Sequence, residues 1–125
     1  MANVKITAGP VTLTVKPRNT PTAQAIIDAL PFRASARTWG DEVYFDTPVL
    51  SSGEADATDL INAGELAFWL AGNCIAIGFG PTPASRGDEI RLASPANIWG
   101  DATEDVRTLK RVRDGDSILL ELADS

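Results

Sequence analysis

The start of the chain alternates. Val4 and Ile6 are separated by a single polar residue, and Val11, Leu13 and Val15 repeat the pattern after Gly9-Pro10. Successive side chains of a strand point to opposite faces, so period two with β-branched residues predicts two half-buried strands. The Gly-Pro pair between them predicts the turn of a hairpin. The period then changes. Thr20 and Pro21 precede Ala23, Ile26, Ile27 and Leu30 at helical spacing, and Pro31 follows. Threonine suits the N-cap, proline the first helical position, and the second proline stops the run. The prediction is one short helix whose narrow apolar stripe covers an open end of a barrel.

Alternation resumes at Phe32, Ala34 and Ala36, a third strand. Trp39-Gly40-Asp41 reads as a turn, Glu42 to Thr47 as a strand closed by Pro48, and residues 51–59 as a surface loop. Glu65 to Leu70 and Cys74 to Phe79 read as strands around Ala71-Gly72-Asn73. Gly80 to Asp88 is a long loop, Glu89 to Leu92 a short strand, and residues 93–101 a further loop. Glu104 to Arg111 reads as a helical turn with Val106 and Leu109 inward, and Ser117 to Leu122 as the last strand after Asp114-Gly115. The triplet Trp39-Gly40-Asp41 recurs as Trp99-Gly100-Asp101, which reads as one turn chemistry used twice. About eight short strands with frequent turn signals predict an all-β, mostly-β single domain over residues 1–125, closed into a small barrel. Closure removes the exposed strand edges that invite aggregation.

Composition narrows the chemistry. The 125 residues carry 17 acidic against 11 basic side chains, a net charge of −6, and 44% are hydrophobic. That balance belongs to an ordinary globular domain. The acidic surface disfavours nucleic acid and anionic membranes as partners, and a cytoplasmic location is expected. There is one cysteine, Cys74, and no histidine. Nucleophilic sites that need an imidazole base are therefore excluded, as are zinc sites built on histidine, and no metal or other cofactor is expected. Acid–base work would fall to Asp, Glu, Tyr, Lys or Arg.

Several blocks carry a resemblance. They are Asn19-Thr20-Pro21-Thr22-Ala23, Ala29-Leu30-Pro31, Trp39 to Phe45, Gly64 to Trp69 and Gly80 to Ile90. In these the chain resembles a family of small bacterial and archaeal cyclophilin-like proteins, with matching blocks from about residue 4 to 122. The resemblance implies a cyclophilin-type closed barrel with a helix over one end. It brings little function of its own, since fold does not specify activity. Cyclophilins proper are peptidyl-prolyl isomerases that use an arginine in the strand after the first helix and a proline pocket with aromatic and histidine walls. By that likeness the strand is Glu42 to Thr47, which holds no arginine, and Cys74-Ile75-Ala76-Ile77 has no aromatic residue until Phe79. These departures argue against isomerase activity. Related barrels also occur in proteins that process amides, lactams and ureas.

The candidate site centres on the Gly80–Asp88 loop. Two prolines stiffen it, Thr82 and Ser85 offer hydroxyls, and Arg86 offers a planar donor fork for a carboxylate. Glu42 and Tyr44 share one side of their strand and could act as a base and a hydrogen-bond donor. Phe68 and Trp69 are adjacent, so one faces in and the other out; Trp69 and Phe79 join the candidate pocket. The basic residues Arg107, Lys110 and Arg111 read as a solvated face balanced by Glu104, Asp105 and Asp114, and Cys74 as an inert buried thiol. Three readings follow, in order of preference. The first is a domain binding a small polar or carboxylate-bearing molecule at residues 80–88, and the second an interaction or structural module, including a homodimer. The third is an enzyme, either a prolyl isomerase or one acting on amides or lactams.

Overall fold

The structure, a computed structural model, describes residues 2–123. Strands β1 (Val4–Ala8) and β2 (Val11–Pro17) form the expected hairpin around Gly9-Pro10. Helix α1 (Pro21–Ala29) starts where Thr20 accepts a hydrogen bond from the amide of Ala23, and Pro21 occupies its first turn. β3 (Phe32–Ser35) and β4 (Arg37–Thr38) follow, separated by Ala36 alone. Then come β5 (Glu42–Asp46), β6 (Thr58–Ile61), β7 (Glu65–Trp69), β8 (Cys74–Gly78) and β9 (Ile90–Ala102). A 3₁₀ helix spans Val106–Arg111, with Val106 and Leu109 buried as expected, and β10 (Ser117–Leu122) ends the sheet.

Hydrogen bonding orders the strands β3-β10-β1-β2-β9-β7-β8-β5-β4, with β6 paired to β9 alongside. The two ends of this order, β3 and β4, are consecutive in the chain. The sheet therefore curls into a nearly closed barrel whose seam is bridged by the chain itself at Ala36, which exchanges backbone bonds with Asp116 and Gly115.

Alternation decides what fills the barrel. Val43 and Phe45 on β5, Leu66 and Phe68 on β7, and Ile75 and Ile77 on β8 all lie in the main core. Helix α1 adds Ala23 and Ile26 to the same core, as its stripe predicts. It is held there by a buried polar knot. Asn97, fully buried on β9, donates its Nδ2 to Thr22 Oγ1 at 2.9 Å and to the Ser52 carbonyl at 2.8 Å, and accepts from the Glu54 amide at 2.9 Å. Thr22 donates in turn to Glu54 Oε2 at 2.6 Å.

Two expected loops are strands. Residues 93–101 belong to β9, which pairs with β2, β6 and β7. Its small residues, Pro95 and Asn97 hide the strand signal, because a strand buried between neighbours shows no polar alternation. A register shift opposite Leu66/Ala67 leaves Trp99 as the extra residue of a bulge and sends its ring into the main core. Thr58–Ile61, partly inside the expected loop at 51–59, pairs with β9 as β6. The second Trp-Gly-Asp is also no turn. Gly100 lies within β9, where a Cβ would stand 2.6 Å from Val15.

Candidate functional site

The outer face of β5, β8 and β7 carries the alternate set of side chains. Register places Tyr44 opposite Ala76 and Ala76 opposite Ala67, in one row across the three strands. Two alanines in that row leave a depression in the sheet surface. β9 and β6 cover part of it, with Ile61, Leu92, Ala96 and Ile98 joining Ala67 and Ala76 in a second, smaller apolar cluster. What remains uncovered is a cavity of about 260 Å³ lined by Trp39, Glu42, Tyr44, Trp69, Ala76, Leu92 and Ala93. Ala76 forms its floor, three aromatic rings and Leu92 its walls.

Each wall is held from behind. Trp69 donates its Nε1–H to the Ser94 hydroxyl, and its ring lies over Gly72, where a Cβ would be 2.6 Å from Cζ3. The Trp39 amide donates to the Glu42 carbonyl at 3.0 Å, which seats the Trp39–Asp41 turn beside the cavity. Gly40, in that turn, has φ +59°, and a Cβ there would lie 2.9 Å from the Thr82 backbone. Gly40→Ala therefore meets both left-handed strain and a backbone clash. It is expected to destabilise the fold by about 1–3 kcal/mol, a loss read directly in urea denaturation, and to loosen the turn that carries Trp39.

Glu42 is the carboxyl of the cavity wall. Its residue is 6% exposed, its Oε1 is buried, and no side-chain hydrogen bond reaches it from the described residues. Removal from water disfavours the charged form, so burial pushes the carboxyl up from its ordinary 4.5 to about 7. Glu42 is therefore not a solvated surface glutamate. Tyr44 lies on the same face, as period two requires, and carries the Arg37 guanidinium 4.8 Å from its ring centre. Arg37 is paired with Asp46, and Asp46 also accepts from the Cys74 thiol at 3.2 Å. Burial, with Asp46 beside it, pushes that thiol up to about 11, which keeps it protonated and inert.

The structure separates the residues that the sequence grouped. Glu42, Tyr44 and Trp69 line the cavity. Thr82 and Ser85 do not; they brace their own loop. Ser85 Oγ accepts from the Thr82 amide at 2.9 Å and the Arg91 amide at 3.2 Å, and Thr82 Oγ1 donates to the Arg91 carbonyl. These hydroxyls are spent holding the loop to β9. Arg86 is exposed at the loop tip and outside the cavity, and Phe79 packs in the main core. In the acidic chain, Arg107 pairs with Asp105 at 2.7 Å, in keeping with a solvated face.

Sequence reasoning passed over Arg37 and Leu92. Arg37 could have been found by carrying the β5 alternation back through the Trp39–Asp41 turn, since the register sets Arg37 opposite Tyr44. Leu92 carries no such signal, because only the fold of β9 over the sheet brings it to Ala76.

The family model described as cyclophilin-like matches residues 2–121. The solution structure of the hypothetical protein AF2241 from Archaeoglobus fulgidus is similar over 98% of this chain and 95% of that one, with a TM-score of 0.84 and 37% identity. McbB, whose structure was determined in complex with tryptophan, is similar with a TM-score of 0.62 at 13% identity; 98% of this chain matches 45% of McbB, a likeness of fold alone. No curated protein matches the chain. A nearly closed barrel, a helix packed into its core and a family match over almost the entire length lead to one conclusion: the chain belongs to the cyclophilin-like family.

Proposed function

We propose that the protein is a small-molecule-binding domain whose site is the outer-face cavity between Trp39, Tyr44 and Trp69. The observation that carries this reading is a half-open recess of about 260 Å³ between three aromatic rings over an alanine floor, with one buried carboxyl in its wall. Concave apolar sites with a few placed polar groups are the usual form of small-ligand pockets. The size suits a compact ring-shaped body. The reading differs from the loop-centred expectation for a physical reason: the Thr82 and Ser85 hydroxyls are occupied by backbone groups of their loop and of β9, and the exposed Arg86 is not among the residues lining the cavity. A prolyl isomerase reading has less support, because β5 contains no arginine and Arg37 is engaged by Asp46 and Tyr44.

Ala76→Leu provides the test. The larger side chain would rise from the floor into the cavity, away from the main core. A library of small aromatic compounds is screened by thermal shift and by tryptophan fluorescence, since Trp39 and Trp69 line the cavity. Compounds that stabilise the wild type are expected to lose at least about tenfold in affinity for Ala76→Leu. Hits that bind both proteins equally would move the site elsewhere, and a screen without hits would remove the reading.

A further inference from the structure

The cavity has walls for an apolar body, and its wall also carries a buried carboxyl whose chemistry restricts what that body carries. We propose that Glu42 makes the cavity selective for small planar aromatic compounds bearing an N–H donor group of the amidine or aminoheterocycle class. The inference rests on the cavity being the ligand site. It adds the ligand's polarity, which is opposite to that of a carboxylate-bearing ligand.

The argument starts from hydrogen-bond supply. A carboxyl offers acceptor oxygens, and in its protonated form one additional donor. Glu42 is more than nine-tenths buried and lines the cavity, and its Oε1 is shielded from solvent with no partner among the described residues, so a ligand donor would reach this carboxyl only by a small shift of the side chain. A buried polar atom left unpaired is costly, so a site of this kind binds best what completes it. The groups that complete a carboxylate are N–H donors, and a planar cationic fork completes it most fully. An anionic ligand would set like charge against it.

The walls point to the same class. Trp39, Tyr44 and Trp69 present aromatic surfaces, which attract a flat ring by stacking and a delocalised cation through the ring quadrupole. Among the described residues no Lys or Arg lines the cavity. Arg37 sits on the Tyr44 ring, and its charge is balanced by Asp46. Tyr44 already serves as a cation-bearing ring in the structure.

The experiment compares three probes of one shape at pH 8: benzamidine, a planar cation with N–H donors; acetophenone, neutral and without a donor; and benzoate, an anion. Affinities for the wild type and for Glu42→Gln are measured by calorimetry. Wild type is expected to prefer benzamidine over acetophenone by about tenfold or more and to reject benzoate. In Glu42→Gln the preference is expected to fall to within about twofold. Equal binding of benzamidine and acetophenone by wild type would overturn the assignment of polarity while the cavity stands as a site. A preference that survives in Glu42→Gln would overturn the role of Glu42. Absence of binding by all three probes would overturn both this inference and the site on which it rests. The wild-type selectivity decides the matter of polarity even if the variant does not fold.

Discussion

Replacing Glu42 by glutamine is expected to stabilise the protein at pH 8 and to leave it unchanged or slightly weaker at pH 4. In the unfolded chain a glutamate ionises near 4.5; in the fold, burial holds Glu42 protonated up to about 7. Between these values the folded state keeps a proton that the unfolded state has released. Stability contributed by this group is therefore complete below pH 4.5, falls as the pH rises through that window, and levels off above about 7. The difference corresponds to roughly 3 kcal/mol. Glutamine has nothing to ionise, so the variant escapes the fall. Its amide is less well accommodated than a protonated carboxyl, and the net gain at pH 8 is expected near roughly 2 kcal/mol. Urea denaturation of both proteins from pH 4 to pH 8.5 reads this directly. Curves that run parallel across the range would show that Glu42 does not titrate in this window.

Asn97→Ala is expected to cost about 3 kcal/mol or more. Asn97 is fully buried and makes three hydrogen bonds, to Thr22 on α1, to the Ser52 carbonyl and to the Glu54 amide. Truncation removes all three at once and leaves the Ser52 carbonyl and the Glu54 amide without these partners. The loss exceeds that of one surface bond because buried groups left unpaired lose their solvation as well. The effect is local in its first consequence. The segment 51–54 and the first turn of α1 share this knot, so amide exchange is expected to rise there before it rises in β1, β2 and β10. A variant with wild-type stability, or one whose exchange rises uniformly, would refute the role of Asn97 as the tie between helix and barrel.

These two residues differ in how far the sequence disclosed them. Glu42 sits in a strand with clear alternation, so its face, and its company with Tyr44, followed from period two. Its burial did not, because burial depends on the segments that the fold packs around it. Asn97 follows a run of small residues, Ala93 to Ala96, that reads as a loop. It becomes a strand only because β2, β6 and β7 supply its hydrogen bonds. The Gly80–Asp88 loop shows the reverse: its stiff, hydroxyl-rich sequence looks like a binding loop, but those hydroxyls bond the backbone of Thr82 and of Arg91 on β9.

By itself the sequence determined the local elements: the first hairpin, the capped helix, β5, β7, β8, β10 and the inward set of side chains. These depend on periodicity, capping and turn chemistry, which act over a few residues. The tertiary structure alone decided that β9 is a long central strand, that the barrel closes at Ala36, and that a cavity exists. The cavity walls come from the turn before β5, from β5, β7, β8 and β9, segments more than fifty residues apart from first to last. Their meeting depends on strand order and on β9 folding over the outer face, and no local pattern encodes a relation of that range.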